Sequence, residues 1–508
     1  MHRVNSIAIA PRVISTSGAN FQKTQSFCSN DQANALTHFM IRLIPIALLS
    51  FILSARAEVD RTKKPEPGPA PEAAFPDYVT KVLPNGLKVF VIEDDRKPTI
   101  TMRLVIKAGD VNDGDKPGTA GFVAGLLNRG TATRDALAFA KAVDSLGATL
   151  EAAAGPDAIS VSTSGLTKIT DPLLGLFTDA VVHPVFAQEE FAKSQKRTYS
   201  SLTAQKKEPH ALVGKLMNAT LFGEHPYGKY TTPESVKSIT RDDLVKFHSM
   251  WFAPNNASLA IVGDVKAADI LPKIEKALGG WEKKDVPMNK KVPATPVSGL
   301  TIHLLDLPGS VQSNVIVCRN GPSRAQATDL PEVNVMNSIL GGGFSGRLFQ
   351  NLREKHGYTY GSSSAFGYNK EAGHFQATAE TRNDVTAPAI TEILGEINRI
   401  MTEPVAEPEL ELQRQYNIGN YLLSLENAGR VAARVQDIEL YGLAPDFYKT
   451  YAKRMAAVTP ATVKELAEKY LSTKDTAIVV VGDAKQIRES LEKLGKVVLY
   501  DTDLKVVK

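Results

Sequence analysis

The same succession of signals occurs twice in this chain, 219 residues apart. Thr240 opens a helical pattern of Leu244, Phe247 and Trp251, which runs into the apolar stretch 257–262 and the turn Gly263-Asp264. Thr459 opens a matching pattern of Val463, Leu466 and Tyr470, followed by the apolar stretch 477–481 and Gly482-Asp483. From Thr to Gly the step is 23 residues in both. A threonine ahead of an apolar-periodic run is a helix N-cap signal, because its hydroxyl accepts one of the orphan N–H groups of the first turn. Self-similarity at a fixed long period marks an internal duplication, and two units of about 215 residues account for the 431 that follow residue 77.

Within each unit, strands alternate with helices. Asn85-Gly86 is a tight-turn signal, followed by strand patterns at 87–92 and 99–107. Helical patterns follow at 135–146, closed by Gly147, and at 171–182, closed by His183-Pro184. In the second unit Ile390, Ile393, Leu394, Ile397 and Ile400 mark one helical face. The class expected is α+β: two homologous domains, each a mostly antiparallel sheet covered by helices. The boundaries expected are an N-terminal domain over 78–288, a Lys/Pro/Thr linker over 289–298 and a C-terminal domain over 299–508.

Ahead of residue 78 the chain reads differently. Residues 40–57 carry a charge at Arg42, an apolar core and the small-residue end Ala55-Arg56-Ala57, the order of a secretory signal peptide. The core is about a dozen residues, short of the ~20 that span a bilayer, so cleavage before Glu58 rather than a transmembrane anchor is expected. That puts the protein outside the cytoplasm, in the periplasm, with residues 1–39 as an upstream extension. The alternative is an organelle transit peptide, since 1–39 is poor in acids and rich in Ser, Asn and Thr. Residues 58–77 hold five prolines and read as a stiff extended linker. Cleavage would remove Cys28 and leave Cys318 as the sole thiol.

A composition of 43% apolar and 22% charged residues is that of a globular protein, and 59 basic against 55 acidic residues leave no nucleic-acid footprint. Gly341, Gly343 and Gly346 satisfy G-x-G-x-x-G, but the preceding 333–340 is a helix pattern rather than a strand, so a flexible or packing loop is expected. The nine histidines are never closer than 15 residues, so neither H-E-x-x-H nor H-x-x-E-H occurs.

Several segments in order resemble one family. Leu83-Pro-Asn-Gly-Leu-Lys-Val, the stretch from Gly118 to Thr131, His225-Pro-Tyr-Gly and the run from Trp251 to Gly263 are similar to the pitrilysin/insulinase zinc metallopeptidases, the inverzincins. The resemblance extends from about residue 78 to about 490 and implies two homologous α+β domains bordering a peptide-holding cavity. The family helix reads G-x-x-H-x-x-E-H-x-x-x-x-G-T, in which two histidines bind zinc and the glutamate activates water. On that frame Gly121 and Gly125 stand at the histidine positions and Ala124 at the glutamate. The family's third ligand, a downstream glutamate, has no counterpart either, because no acid occurs from Phe191 to Lys207. No metal site is therefore expected on this chain. Two glycines inside a helix, each about 1 kcal/mol less favourable than alanine, point to close packing against a neighbour.

The segment 347–360 resembles the family's substrate-holding segment, in which an arginine and a tyrosine seven residues later reach an active site built by the opposite half. Here they are Arg353 and Tyr360. The resemblance implies a guanidinium for peptide carbonyls and a hydroxyl for a tetrahedral oxyanion. It thereby implies a non-catalytic, substrate-holding subunit of a heteromeric zinc metallopeptidase, inactive alone. The zinc would lie on a homologous catalytic partner carrying H-x-x-E-H, and a peptide would be the substrate. The alternative is a peptide-binding or scaffold protein of the same fold with no role in proteolysis.

Overall fold

The computed structural model describes residues 74–288, 292–294 and 296–507. The expected extension 1–39, the signal peptide 40–57, most of the proline-rich linker and part of the 289–298 linker lie outside the described residues.

The duplication is visible as two six-stranded sheets. The first orders its strands β1 (Val79–Val82), β2 (Lys88–Glu93), β6 (Ala257–Gly263), β3 (Thr99–Ile106), β5 (Ile159–Leu166) and β4 (Thr149–Ala154) from edge to edge. The second orders them β12 (Lys496–Tyr500), β7 (Leu300–Asp306), β11 (Thr476–Gly482), β8 (Gln312–Gly321), β10 (Gly373–Arg382) and β9 (Thr359–Tyr368). Five strands correspond in order between the two sheets. The sixth differs: β1 joins β2 antiparallel through the turn at Gly86, whereas β12 arrives after the last helix and joins β7 in parallel. Most other pairs are antiparallel, the exceptions being β2 with β6 and β7 with β11. The fold is α+β, two homologous domains of the expected kind.

Strands β6 and β11 are buried at every residue. A strand covered on both faces reads as a continuous apolar run, which is why these two were the clearest strands in the sequence. Gly263 ends β6 at φ +148°, where a Cβ would lie 2.1 Å from the Thr99 carbonyl oxygen, so the turn into Asp264 accepts only glycine.

The cover on these central strands is exchanged between the halves. Helix Pro209–Phe222, from the first half, lies on β8 and β11 of the second, burying Leu212, Leu216, Met217 and Leu221 against Ile316, Cys318, Ala477 and Val479. Helix Ala428–Leu440, from the second half, lies on β3 and β6 of the first. Its centre is Gln436, 1% exposed. The Gln436 amide donates to the carbonyls of Arg103 (2.9 Å) and Ser258 (2.8 Å), and its oxygen accepts from the Arg103 guanidinium at 2.6 Å. One turn on, Glu439 pairs with Lys88 and Lys107 at 2.8 and 2.7 Å. In the mirror contact, the 219-residue repeat places Ala477 and Met217 where Ser258 and Gln436 stand, and strand register places Ile316 where Arg103 stands.

Packing begins before Tyr78, the start expected from the proline-rich stretch. Phe75 is buried and stacks on Tyr448 at 5.5 Å, and Asp77 pairs with Lys449 at 2.5 Å. An aromatic residue with an apolar receptor overrides the stiffness of its proline neighbours.

Gln436→Met leaves the Arg103 guanidinium and the Ser258 carbonyl without a partner at a buried contact, and urea denaturation should show a loss of about 2 kcal/mol. The triple variant Arg103→Ile, Ser258→Ala, Gln436→Met copies the apolar set of the mirror contact and should recover most of it.

Candidate functional site

Helix Thr119–Leu126 carries the positions at which the family frame sets its metal ligands. Its N-terminus is held by Asp113, whose carboxylate accepts from the backbone N–H groups of Gly118 (2.6 Å) and Ala120 (2.7 Å). Phe122, Val123 and Leu126 bury one face, and Phe122 meets Phe191 of helix Gln188–Gln205 edge-on at 5.8 Å. Asn128, just beyond the helix, donates to the Leu150 carbonyl of β4 at 3.0 Å, so the helix is pinned beside an edge strand that pairs only with β5.

Gly121 and Gly125 lie on the opposite, exposed face, and a Cβ built on either meets nothing within 4 Å. The expectation of close packing at these glycines is corrected: they face open space. Ala124 is turned into the core at 2% exposure. Glu189 and Glu190, in the first turn of helix Gln188–Gln205, are tied to Lys193 at 2.7 and 2.9 Å. The donor set here is two hydrogens and a methyl group, which does not fit zinc. Among the described residues no three His, Cys, Asp or Glu side chains come together as a metal site would require.

The second half presents the other named residues. Helical turn Arg347–Phe349 continues as the π-helical Gln350–Lys355 and is anchored by a two-point pair from Arg347 to Glu409 (2.8 and 2.9 Å). Arg353 stands on this segment and Tyr360 at the start of β9, the free edge of the second sheet. The structure brings them together: the Arg353 guanidinium lies 4.8 Å from the Phe349 ring centre and 5.1 Å from that of Tyr360. Tyr360 is 87% exposed, so its hydroxyl is available to a ligand, and the nearest carboxylate to Arg353 is that of Glu354 at 3.6 Å. The glycines of the G-x-G-x-x-G match form a packing loop. A Cβ on Gly341 would meet the Ser364 nitrogen at 2.5 Å.

Sequence reasoning assigned no chemistry to a cluster at the junction of the halves. His225 is 1% exposed. Its Nδ1 accepts from the Tyr227 backbone N–H at 3.1 Å, which leaves Nε2 to donate to Glu371 at 3.2 Å. The Tyr227 hydroxyl donates to Asp157 at 2.5 Å and accepts from the Glu371 N–H at 3.1 Å. His225-Pro-Tyr-Gly was visible as a motif, but its partners at 157 and 371 are too distant in sequence to be paired with it. This cluster borders a cavity of about 550 Å3 lined by Asp110, Asp113, Gly118, Tyr230, Thr231 and Glu371. Burial pushes the Asp113 carboxyl up to about 7, outweighing its two backbone N–H bonds, and burial together with the Asp157 charge pushes Asp110 up to about 6.

Residues 88–233 match the family Insulinase (Peptidase family M16), and residues 238–417 match the Peptidase M16 inactive domain. The chain belongs to the insulinase family, peptidase family M16. Among its relatives, a protein of Rickettsia bellii named as an uncharacterised zinc protease is 26% identical over 388 residues, which cover 76% of this chain and 90% of that protein. The peptidase M16 inactive domain from Pseudomonas fluorescens is similar in structure, with a TM-score of 0.75 and 25% identity over 80% of this chain and 98% of that one. A protease from Helicobacter pylori shares the fold at a TM-score of 0.73, with 19% identity over 80% of this chain and 99% of that one.

Two outcomes follow from this geometry. Gly121→Ala and Gly125→Ala should each stabilise the isolated chain by about 0.5–1 kcal/mol in chemical denaturation, because the helix gains propensity and no neighbour is displaced. Close packing would give the opposite sign. The raised carboxyls mean that the folded state holds protons the unfolded state has released between pH 4 and 7. Their contribution to stability is complete below about pH 4 and is lost as pH rises through about 6 and then about 7. Denaturation midpoints at pH 5 and pH 8 should therefore differ less for Asp110→Asn than for the wild type.

Proposed function

We infer that this chain is the non-catalytic, substrate-holding subunit of a heteromeric zinc metallopeptidase acting on peptides. The observation that carries the reading is a contrast within one chain. The positions of the family's metal ligands carry no donor side chains, while on the other half a half-buried Arg353 stacks on an exposed Tyr360. A chain with no chemistry of its own has no use for a hydroxyl aimed at an oxyanion unless a partner supplies the reacting centre.

In this reading the partner is a homologous catalytic subunit with H-x-x-E-H and the zinc is bound there. The free edge of β4 supports the holding role, since an extended peptide can add to an unpaired strand through main-chain hydrogen bonds. Arg353 would hold a peptide carbonyl in its planar fork, and Tyr360 would donate to the oxygen that becomes negative as the carbonyl turns tetrahedral. The order of charge, apolar core and Ala55-Arg56-Ala57 in residues 40–57 supports export to the periplasm.

A hydroxyl that meets charge only in the transition state acts on turnover more than on affinity. In a complex reconstituted with the catalytic partner, Tyr360→Phe should lower kcat by up to ~100-fold with little change in KM. Arg353→Ala should raise KM as well. The purified chain alone should carry no stoichiometric zinc and cleave no peptide. Wild-type turnover by both variants in fully assembled complexes would leave the scaffold reading in its place.

A further inference from the structure

Helix Glu407–Leu425 is unusual for a helix at a protein surface. From Leu412 to Leu425 its only charged residue is Arg414, whose side chain is 14% exposed and tied to Glu407 (2.8 Å) and Glu411 (2.6 Å). The inner face buries Leu410, Gln413, Tyr421 and Ser424. The outer face exposes Leu412 at 54%, Tyr416 at 51% and Leu423 at 71%. These positions follow the helical repeat and form one stripe about 16 Å long. Exposed helix faces are normally charged, and an apolar stripe three turns long is a surface that something covers.

The stripe leads to Arg353 and Tyr360. The 341–346 loop reaches it at Tyr416, whose hydroxyl lies 3.9 Å from a Cβ built on Gly343, and is tied beneath to the buried Gln413, which donates to Ser345 at 3.0 Å. That loop presents Phe344, 77% exposed, edge-on to Phe349 at 4.9 Å. Phe349 in turn lies under the Arg353 guanidinium at 4.8 Å, and Tyr360 flanks the same guanidinium. One largely apolar surface thus runs from Leu423 to the edge of β9, ending at the Arg353 guanidinium and the Glu354 carboxylate 3.6 Å from it.

We propose that this surface selects the substrate: it takes an extended peptide stretch of about five uncharged, apolar residues, the length that ~16 Å of strand accommodates. The stretch lies along the Leu412–Tyr416–Leu423 stripe, with a peptide oxygen at Arg353. Charge complementarity carries the choice of occupant. An acidic or basic side chain would lose its hydration against the stripe and find no counter-charge there, whereas leucine, valine or phenylalanine would lose only unfavourable contact with water. The proposal rests on the reading of Arg353 and Tyr360 as substrate contacts and adds which peptides reach them.

The test uses the full chain and two fluorescein-labelled peptides of equal length and net charge, one with a centre of Leu, Val and Phe and one with a centre of Ser, Asn and Thr. Fluorescence anisotropy should show the apolar peptide binding at least ~10-fold tighter, and Leu412→Gln/Leu423→Gln should erase that difference. The thermal midpoint should stay the same, since both leucines are exposed. Equal binding of the two peptides by the wild type, or an unchanged preference in the double variant, would overturn the proposal. A double variant that binds peptide normally but no longer pairs with a catalytic chain or with a second copy would also overturn it, by making the stripe a subunit interface. Failure of the subunit reading is seen separately: the preference would persist while Arg353→Ala and Tyr360→Phe left turnover in the reconstituted complex untouched.

Discussion

The exchange of two helices between the halves is the constraint on which the rest of this structure depends. Each half has a central strand, β6 or β11, that is apolar on both faces and needs cover on both. Each receives part of that cover from the other half, through helix Ala428–Leu440 on one sheet and Pro209–Phe222 on the other. Leu212, Val213, Leu216, Met217, Leu221 and Phe222 are all buried in one of these contacts. At about 1.5–3 kcal/mol each, as an upper estimate, that single helix withdraws on the order of 10 kcal/mol of apolar surface from water. Separating the halves would expose both helix contacts at once. The free edges of β4 and β9 and the residues beside them are therefore held in one fixed arrangement.

This rigidity explains how the helix Thr119–Leu126 is held in place without metal ligands at residues 121, 124 and 125. Thr119–Leu126 is held by Phe122, Val123 and Leu126 in the core, by Asp113 at its N-terminus and by Asn128 on β4. None of these supports involves residues 121 or 125, whose outward face meets open space. The penalty of two interior glycines, about 2 kcal/mol together, is small beside the burial that fixes the helix. Where the fold supplies the positioning energy, the chemistry on an outward face changes without the backbone responding.

The duplication was legible because its signals are local. Thr240 and Thr459 are N-caps whose side chains accept from Asp243 and Thr462, and β6 and β11 announce themselves as unbroken apolar runs. The family helix was legible for the same reason, as glycines at fixed spacing on either side of an apolar stretch. The helix exchange was not, because an amphipathic pattern states that a face is buried without stating against which sheet. Gln436 shows the limit: in sequence it is a polar residue within an amphipathic helix, and only the approach of Arg103 and Ser258 from the other half makes it a hub. His225 and Tyr227 failed to be paired with Glu371 for the same physical reason, their contact being made by the docking of the halves rather than by any local preference. The expectation of close packing at Gly121 and Gly125 failed, since spacing reports which residues share a face but not what lies opposite.

The halves have diverged most informatively where the duplication makes them comparable. At the junction, the centre of one helix contact is polar, built on Gln436, Arg103 and Ser258, and the corresponding positions of its mirror, Met217, Ile316 and Ala477, are apolar. Both solutions satisfy the same geometry, so the backbone does not demand the polar one. The outer helices differ in the same manner. Gln188–Gln205 exposes Lys193, Lys196 and Arg197 to solvent, whereas its counterpart Glu407–Leu425 exposes Leu412, Tyr416 and Leu423. A duplicated fold under selection for solubility alone would keep charge at these corresponding positions, because exposed leucine contributes nothing to either half's core. The asymmetry supports the proposed role of the second helix: where one outer helix carries Lys193 and Arg197, the other presents Leu412 and Tyr416 on the side of the molecule that holds Arg353 and Tyr360.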